Sequence, residues 1–142
     1  MEKGVVDTGV LSIFFSRDCT LPVRELMNQV KNRTIQLLVM KEVLVELIRH
    51  LIDLHGRDAA NTMVTSFLVE YPVRLVDLDM TLISKAGQLK SQYPAILSYI
   101  DCISIALALT MNIPFHTTEK SLKRLGGRLM SHLKPKTYIF SE

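Results

Sequence analysis

The chain has little sulfur-based or imidazole-based chemistry to offer. Its 142 residues hold two cysteines, Cys19 and Cys102, with no metal-type spacing between them. That excludes a cysteine zinc site and a disulfide framework, and the pair reads as reduced thiols of a cytoplasmic protein. Four histidines, His50, His55, His116 and His132, form neither an H-x-x-x-H nor an H-E-x-x-H pattern, so a zinc hydrolase has no support. Ser/His/Asp and Cys/His catalysis have no recognisable context. Low-complexity tracts and internal repeats are absent, and with 48% apolar and 22% charged residues the chain reads as a folded protein. Its length fits one domain spanning residues 1–142 and leaves no room for a second.

Membrane signals are also missing. Only Lys3 precedes a very short apolar run at the start, so no signal peptide is expected. Residues 95–115 are apolar enough to raise the question of a span. They contain Ser98, Asp101, Ser104, Asn112 and Pro114, which favours a buried helix followed by a strand. Acids disappear from residue 120 to 141, where Lys120, Lys123, Arg124, Arg128, Lys134 and Lys136 stand alone. Such a run attracts phosphate backbone, although a solvated basic face is its commoner meaning. Lys120, Lys123 and Arg124 are the candidate phosphate-backbone contacts.

What the sequence does contain is alternation of strand and helix. Short apolar, partly β-branched runs at 4–7, 35–39, 73–78, 113–116 and 137–140 predict strands. Helical spacing marks 9–15, 21–31, 42–55, 58–70, 81–90, 98–111 and 119–125, the last closed by Gly126-Gly127. Nearly continuous apolar strands alternating with helices imply a parallel sheet covered on both faces.

In such a sheet chemistry gathers at the carboxyl edge, and acids fall there. Asp7 ends the first strand, where a plain helix cap is the commoner role. Asp101 is the only formal charge between Lys90 and Glu119, and Ser98-Tyr99-Ile100-Asp101 also fits a capping box. Glu119 follows the fourth strand at a strand-to-helix turn, where the helix dipole favours an acid without any function. On the helix at 42–55, Glu42, Glu46, Arg49 and Asp53 share a face and could be a solvated stripe with a Glu46–Arg49 pair. Three acids at three strand ends would repel one another unless a divalent ion neutralised them. Oxygen ligands select a hard cation such as Mg²⁺ or Mn²⁺, which suits phosphodiester hydrolysis.

These residues resemble the PIN-domain family, the VapC-like ribonucleases. Val5-Val6-Asp7-Thr8 resembles its opening strand and first acid, and Leu44-Val45-Glu46-Leu47 its helix acid. Ser98-Tyr99-Ile100-Asp101 resembles the segment with the third acid, and His116-Thr117-Thr118-Glu119 the last turn. The resemblance implies a three-layer α/β/α sandwich with a central parallel sheet. It implies a ribonuclease with Asp7, Glu46, Asp101 and Glu119 as catalytic acids, of which Asp7, Asp101 and Glu119 ligate Mg²⁺ or Mn²⁺. Thr8, Thr117 and Glu42 would be supporting residues, Glu42 competing with Glu46 for the helix position. It further implies an RNA substrate, a homodimer, and an antitoxin partner covering the acidic cleft. One departure is Glu119, where the family usually has Asp. The extra methylene displaces the carboxylate by roughly one bond length, which keeps open a catalytically inactive RNA- or protein-binding relative.

A competing signature lies at Asp77-Leu78-Asp79-Met80-Thr81, which imitates the D-x-D-x-T motif of haloacid-dehalogenase-like phosphatases. There the first Asp is a nucleophile and the second an acid/base. That motif normally opens its domain, whereas here it lies past the middle of the chain. Asp77 and Asp79 are therefore expected to face solvent at a strand end.

Overall fold

The computed structural model describes residues 1–140. Five strands form one all-parallel sheet: β1 (Glu2–Val6), β2 (Ile35–Met40), β3 (Arg74–Val76), β4 (Phe115–Thr117) and β5 (Pro135–Thr137). Their order across the sheet is β3-β2-β1-β4-β5. From β1 the chain steps outward to β2 and β3, then returns to the other side of β1 for β4 and β5. The direction of winding therefore reverses between β1 and β4. In a parallel sheet that reversal splays the connections apart and opens a crevice beyond the strands' carboxyl ends.

The expected sandwich is present. On one side α1 (Thr8–Phe15), α2 (Leu21–Lys31), α3 (Lys41–His55) and α4 (Arg57–Glu70) pack together; α5 (Met80–Gln92), α6 (Tyr99–Met111) and α7 (Gly127–Leu133) form the second group. Parallel strands bury both faces, so β2 reads as an unbroken apolar run: Leu37, Leu38, Val39 and Met40 are all fully buried. The long apolar helix α6 has an equally direct cause. It contacts β1, β2 and β4 below and α5 and α7 beside it, and Cys102, Ile105, Ala106 and Ala108 vanish from the surface. Among the described residues no helix is long and apolar enough to cross a membrane. Cys19 and Cys102 are both free thiols.

The sheet's second half departs from the expected boundaries. β3 is only Arg74–Val76 because it is an edge strand paired on one side, with β2, through Leu38, Val39 and Met40. β5 lies at Pro135–Thr137 and not at 137–140, since its partner β4 offers only Phe115, His116 and Thr117. A strand extends no further than its ladder. The predicted helix at 119–125 is a 3-10 helix, η1 (Lys120–Arg124), with Glu119 as its N-cap. Gly126 and Gly127 do not merely stop it: they lead into α7, which ends at Lys134 in the left-handed region (φ 50°).

Glycine matters at one strand position. A Cβ on Gly4 would fall 2.6 Å from His116 Nε2, so only glycine lets β1 run beside the buried imidazole. His116 Nδ1 lies 2.8 Å from Tyr138 Oη, and burial, followed by the charge of Lys136, pulls its pKa down to about 4. It is a neutral packing residue. Because Ala108 is fully buried within α6, Ala108→Leu is expected to lower unfolding free energy by about 1–3 kcal/mol through overpacking. The shift of the urea midpoint measures it.

Candidate active site

The crevice between β1 and β4 is where the acids meet. Asp7 leaves β1 and caps α1: its Oδ1 accepts the Val10 N–H at 3.2 Å. The other oxygen, Oδ2, accepts from the Thr117 hydroxyl at the end of β4. Thr117 Oγ1 in turn accepts the Glu119 N–H at 2.9 Å. One hydroxyl thus joins the first strand's acid to the turn that carries the last. Glu119 Oε1 accepts both the Ser121 N–H (3.1 Å) and the Ser121 hydroxyl (2.7 Å), fixing η1.

Asp101 arrives from a third direction. The capping box is formed: Ser98 N–H donates to Asp101 Oδ2 at 3.0 Å and Asp101 N–H donates to Ser98 Oγ at 3.1 Å. This holds the carboxylate in the first turn of α6, over the sheet edge. Glu46 joins from the second turn of α3. Asp7, Glu46, Asp101 and Glu119 all line one cleft of about 320 Å³.

Crowding and burial leave their mark on the titration. Asp7 is 6% exposed, and burial is the main reason its pKa rises to about 6; the charge of Asp101 adds to the rise, while the hydrogen bonds from Thr117, Val10 and Thr118 oppose it. Asp101 is raised too, first by burial, with Glu119 and Glu46 adding repulsion against the opposing bonds from Ser98. These couplings show that the carboxylates feel one another. Even so, no group of three or more His, Cys, Asp or Glu side chains among the described residues is gathered closely enough to hold a metal ion as it stands. The acids share a cleft without forming a closed cage.

Several residues sort themselves by position. Glu46 lines the cleft and Glu42 does not; Glu42 sits in the first turn of α3, with Oε1 buried and unpartnered among the described residues. Thr8 lines the cleft and its buried hydroxyl likewise has no partner there. Lys120, Lys123 and Arg124 are exposed on η1, and none of them lines the cleft. The cleft's basic side chains are instead Arg49 and His50, one turn beyond Glu46. The expected surface pair of Glu46 with Arg49 does not form among the described residues. Their i, i+3 spacing is nonetheless the one sequence signal that sets Arg49 beside the helix acid. Gly9 carries no such signal, and its role emerges only from the fold. A Cβ there would lie 1.9 Å from Thr118 Oγ1, so glycine is what lets α1 close against the cleft wall.

The phosphatase alternative fails on position. Asp77 is exposed and pairs with Lys41 Nζ at 2.6 Å, and Asp79 Oδ1 accepts the Leu82 N–H at 2.9 Å as the cap of α5. Both follow the edge strand β3, and neither lines the acidic cleft.

A parallel α/β/α fold with carboxylates at its switch point has known relatives. Residues 4–128 match the model of the PIN domain, and the chain belongs to the PIN-domain family. No curated protein sequence matches it significantly. Among solved structures it is similar to VapBC2 from Rickettsia felis bound to a promoter DNA fragment, at TM-score 0.72 and 14% identity, covering 96% of this chain and 98% of that one. DNA-bound VapBC from Salmonella typhimurium is similar at TM-score 0.71 and 16% identity, with the same coverage of 96% and 98%. VapC20 from Mycobacterium tuberculosis, a sarcin–ricin loop cleaving toxin, matches at TM-score 0.63 and 17% identity over 79% of this chain and 86% of that one.

The raised pKa of Asp7 has a consequence for stability. Its folded value, about 6, exceeds the ordinary value of 3.8, so the ionised form costs stability above pH 6. The cost is relieved as pH falls from 6 toward 4 and the folded protein takes up the proton. Asp7→Asn is therefore expected to stabilise the metal-free protein at pH 7 by on the order of 2 kcal/mol. Urea titrations from pH 7 down to 4 should show that advantage shrinking; an advantage that does not vary with pH would contradict it. Gly9→Ala should have the opposite effect, destabilising by about 1–3 kcal/mol through overpacking against Thr118.

Proposed function

We propose that this chain is a divalent-metal-dependent endoribonuclease, and the toxin half of a toxin–antitoxin pair. The observation that carries the reading is the meeting of four carboxylates in one cleft at the switch point of a PIN-family fold. Mutually repelling acids, two of them with raised pKa values, are costly to keep together unless a cation offsets them. The toxin reading draws further support from VapBC complexes among the similar structures and from a VapC described as a sarcin–ricin loop cleaving toxin.

The donor set fits a hard cation and not zinc, since all four acids offer oxygen. Asp7, Asp101 and Glu119 would hold Mg²⁺ or Mn²⁺, with Glu46 lining the same cleft. When bound, such an ion activates a water and neutralises charge on a phosphoryl oxygen. The protein's own part is largely positioning. Thr117 fixes the Asp7 carboxylate, and Ser98 fixes Asp101. The unpartnered Thr8 hydroxyl supplies a donor for a water or phosphate oxygen. Arg49 and His50 supply side chains that can meet the phosphate of a bound strand.

The same reading brings a small antitoxin that covers the cleft, a homodimer and a cytoplasmic setting. The inactive alternative rests on Glu119, whose Oε1 is engaged by Ser121. Cleavage of single-stranded RNA with Mn²⁺ separates the two. Purified protein should cut it, and Asp7→Asn or Asp101→Asn should reduce the rate by more than about a hundredfold, beyond what losing a group behind a metal ligand costs. RNA binding with no metal-dependent cleavage would establish the inert relative.

Protons compete with the ion for Asp7, which gives a pH signature. Mn²⁺ affinity measured by calorimetry is expected to weaken about tenfold per pH unit below pH 6, where Asp7 takes up its proton. The affinity should level off above pH 6; Asp7→Asn should bind Mn²⁺ more weakly and with a shallower pH dependence, since Asp101, raised as well, still takes up a proton.

A further inference from the structure

A larger cavity than the acidic cleft lies elsewhere among the described residues. It is an open groove of about 690 Å³ bounded by α5, α6 and α7. Its lining holds Lys85 from α5 and Arg128 and His132 from α7, and it includes no carboxylate. Tyr93, Leu109 and Leu129 supply an aromatic and apolar floor. At its rim Lys134 Nζ donates to Asn112 Oδ1 at 3.3 Å, bringing another cation to the same place. The acid-free run beginning at Lys120, which the catalytic reading left unused, therefore folds partly into this groove.

The path between groove and cleft is also basic. Glu119 lines the cleft and Gly126 lines the groove. Between them runs η1, with Lys120, Lys123 and Arg124 exposed. Its five residues span only about 10 Å at the rise of a 3-10 helix. A flexible polyanion leaving the cleft would meet these side chains first and the groove next.

We propose that the α5–α6–α7 groove is a second binding site for single-stranded RNA, joined to the cleft by the exposed cations of η1. Lys85 and Arg128 take backbone phosphates, and the Tyr93 ring with Leu109 and Leu129 takes a base. Positive charge beside an apolar, aromatic floor is how sequence-tolerant single-strand sites are built. The strand's role as substrate rests on the nuclease reading, but the binding site does not.

The deciding experiment is fluorescence anisotropy of the full chain in EDTA with a labelled oligouridylate of about 15 nucleotides. Lys85→Ala/Arg128→Ala is expected to weaken binding about tenfold and to flatten the salt dependence by about 0.7 for each phosphate no longer neutralised. Affinity and salt slope equal to wild type would overturn the site. Lys85→Glu and Arg128→Glu, on separate helices, give the same readout singly should the double variant not fold. A second arm compares substrates with Mn²⁺: cleavage of a trinucleotide, too short to leave the cleft, should be unchanged in the double variant while KM for long RNA rises. Equal loss on both substrates would overturn the site. Should no RNA be cut by any form, the nuclease reading fails while the EDTA measurement still decides the groove.

Discussion

The hydrogen bond from the Thr117 hydroxyl to Asp7 is the contact on which the site depends. It ties the ends of β1 and β4, neighbours in the sheet that are separated by most of the chain. By accepting the Glu119 N–H as well, the same oxygen sets where the fourth acid emerges. Without that link the Asp7 carboxylate would keep only backbone bonds from Val10 and Thr118, and a buried carboxylate with so few donors is costly. The switch point of the sheet supplies the crevice; Thr117 makes it tolerable to place a charge there.

That tolerance is incomplete. Burial and neighbouring charges hold Asp7 and Asp101 above the ordinary carboxylate range despite their hydrogen bonds. Stability is thus given up at the place where the proposed chemistry occurs, a common arrangement where groups must be kept ready for charge that arrives from outside. The rest of the fold compensates with an apolar interior that runs through β1, β2 and α6 without interruption. The α6 segment illustrates the division: Ser98 and Asp101 organise its polar first turn, and Cys102, Ile105, Ala106 and Ala108 after them are buried in the core.

Legibility in the sequence followed the range of the forces involved. The capping box at Ser98 and Asp101 involves neighbours three apart, so it could be read directly and it formed. The parallel sandwich was legible because two-faced burial leaves long apolar strands. Asp7 could be placed at a strand end because Val5 and Val6 precede it. The boundaries of β3 and β5 could not be read in the same way, because each is limited by the strand beside it and not by its own residues. Phe140 is a case in point: expected in a strand, it lies outside β5 and lines the acidic cleft. Likewise Gly126 and Gly127 looked like a terminator, but a short helix anchored by the buried Leu133 follows them.

By itself, then, the sequence determined the class of fold, the order of its elements from β1 to β4 and which acids fall at strand ends, since all three follow from local periodicity, capping and burial pattern. The tertiary structure alone decided which side chains share a space. It brought Glu46 and not Glu42 to the cleft, and added Arg49 and His50 to it. It turned Thr117 from a turn residue into the link between two strands, and it spread the basic run along η1 and into a separate groove. The reason is physical: such placements depend on how helices sit against the sheet, and that is fixed by contacts between residues far apart in the chain.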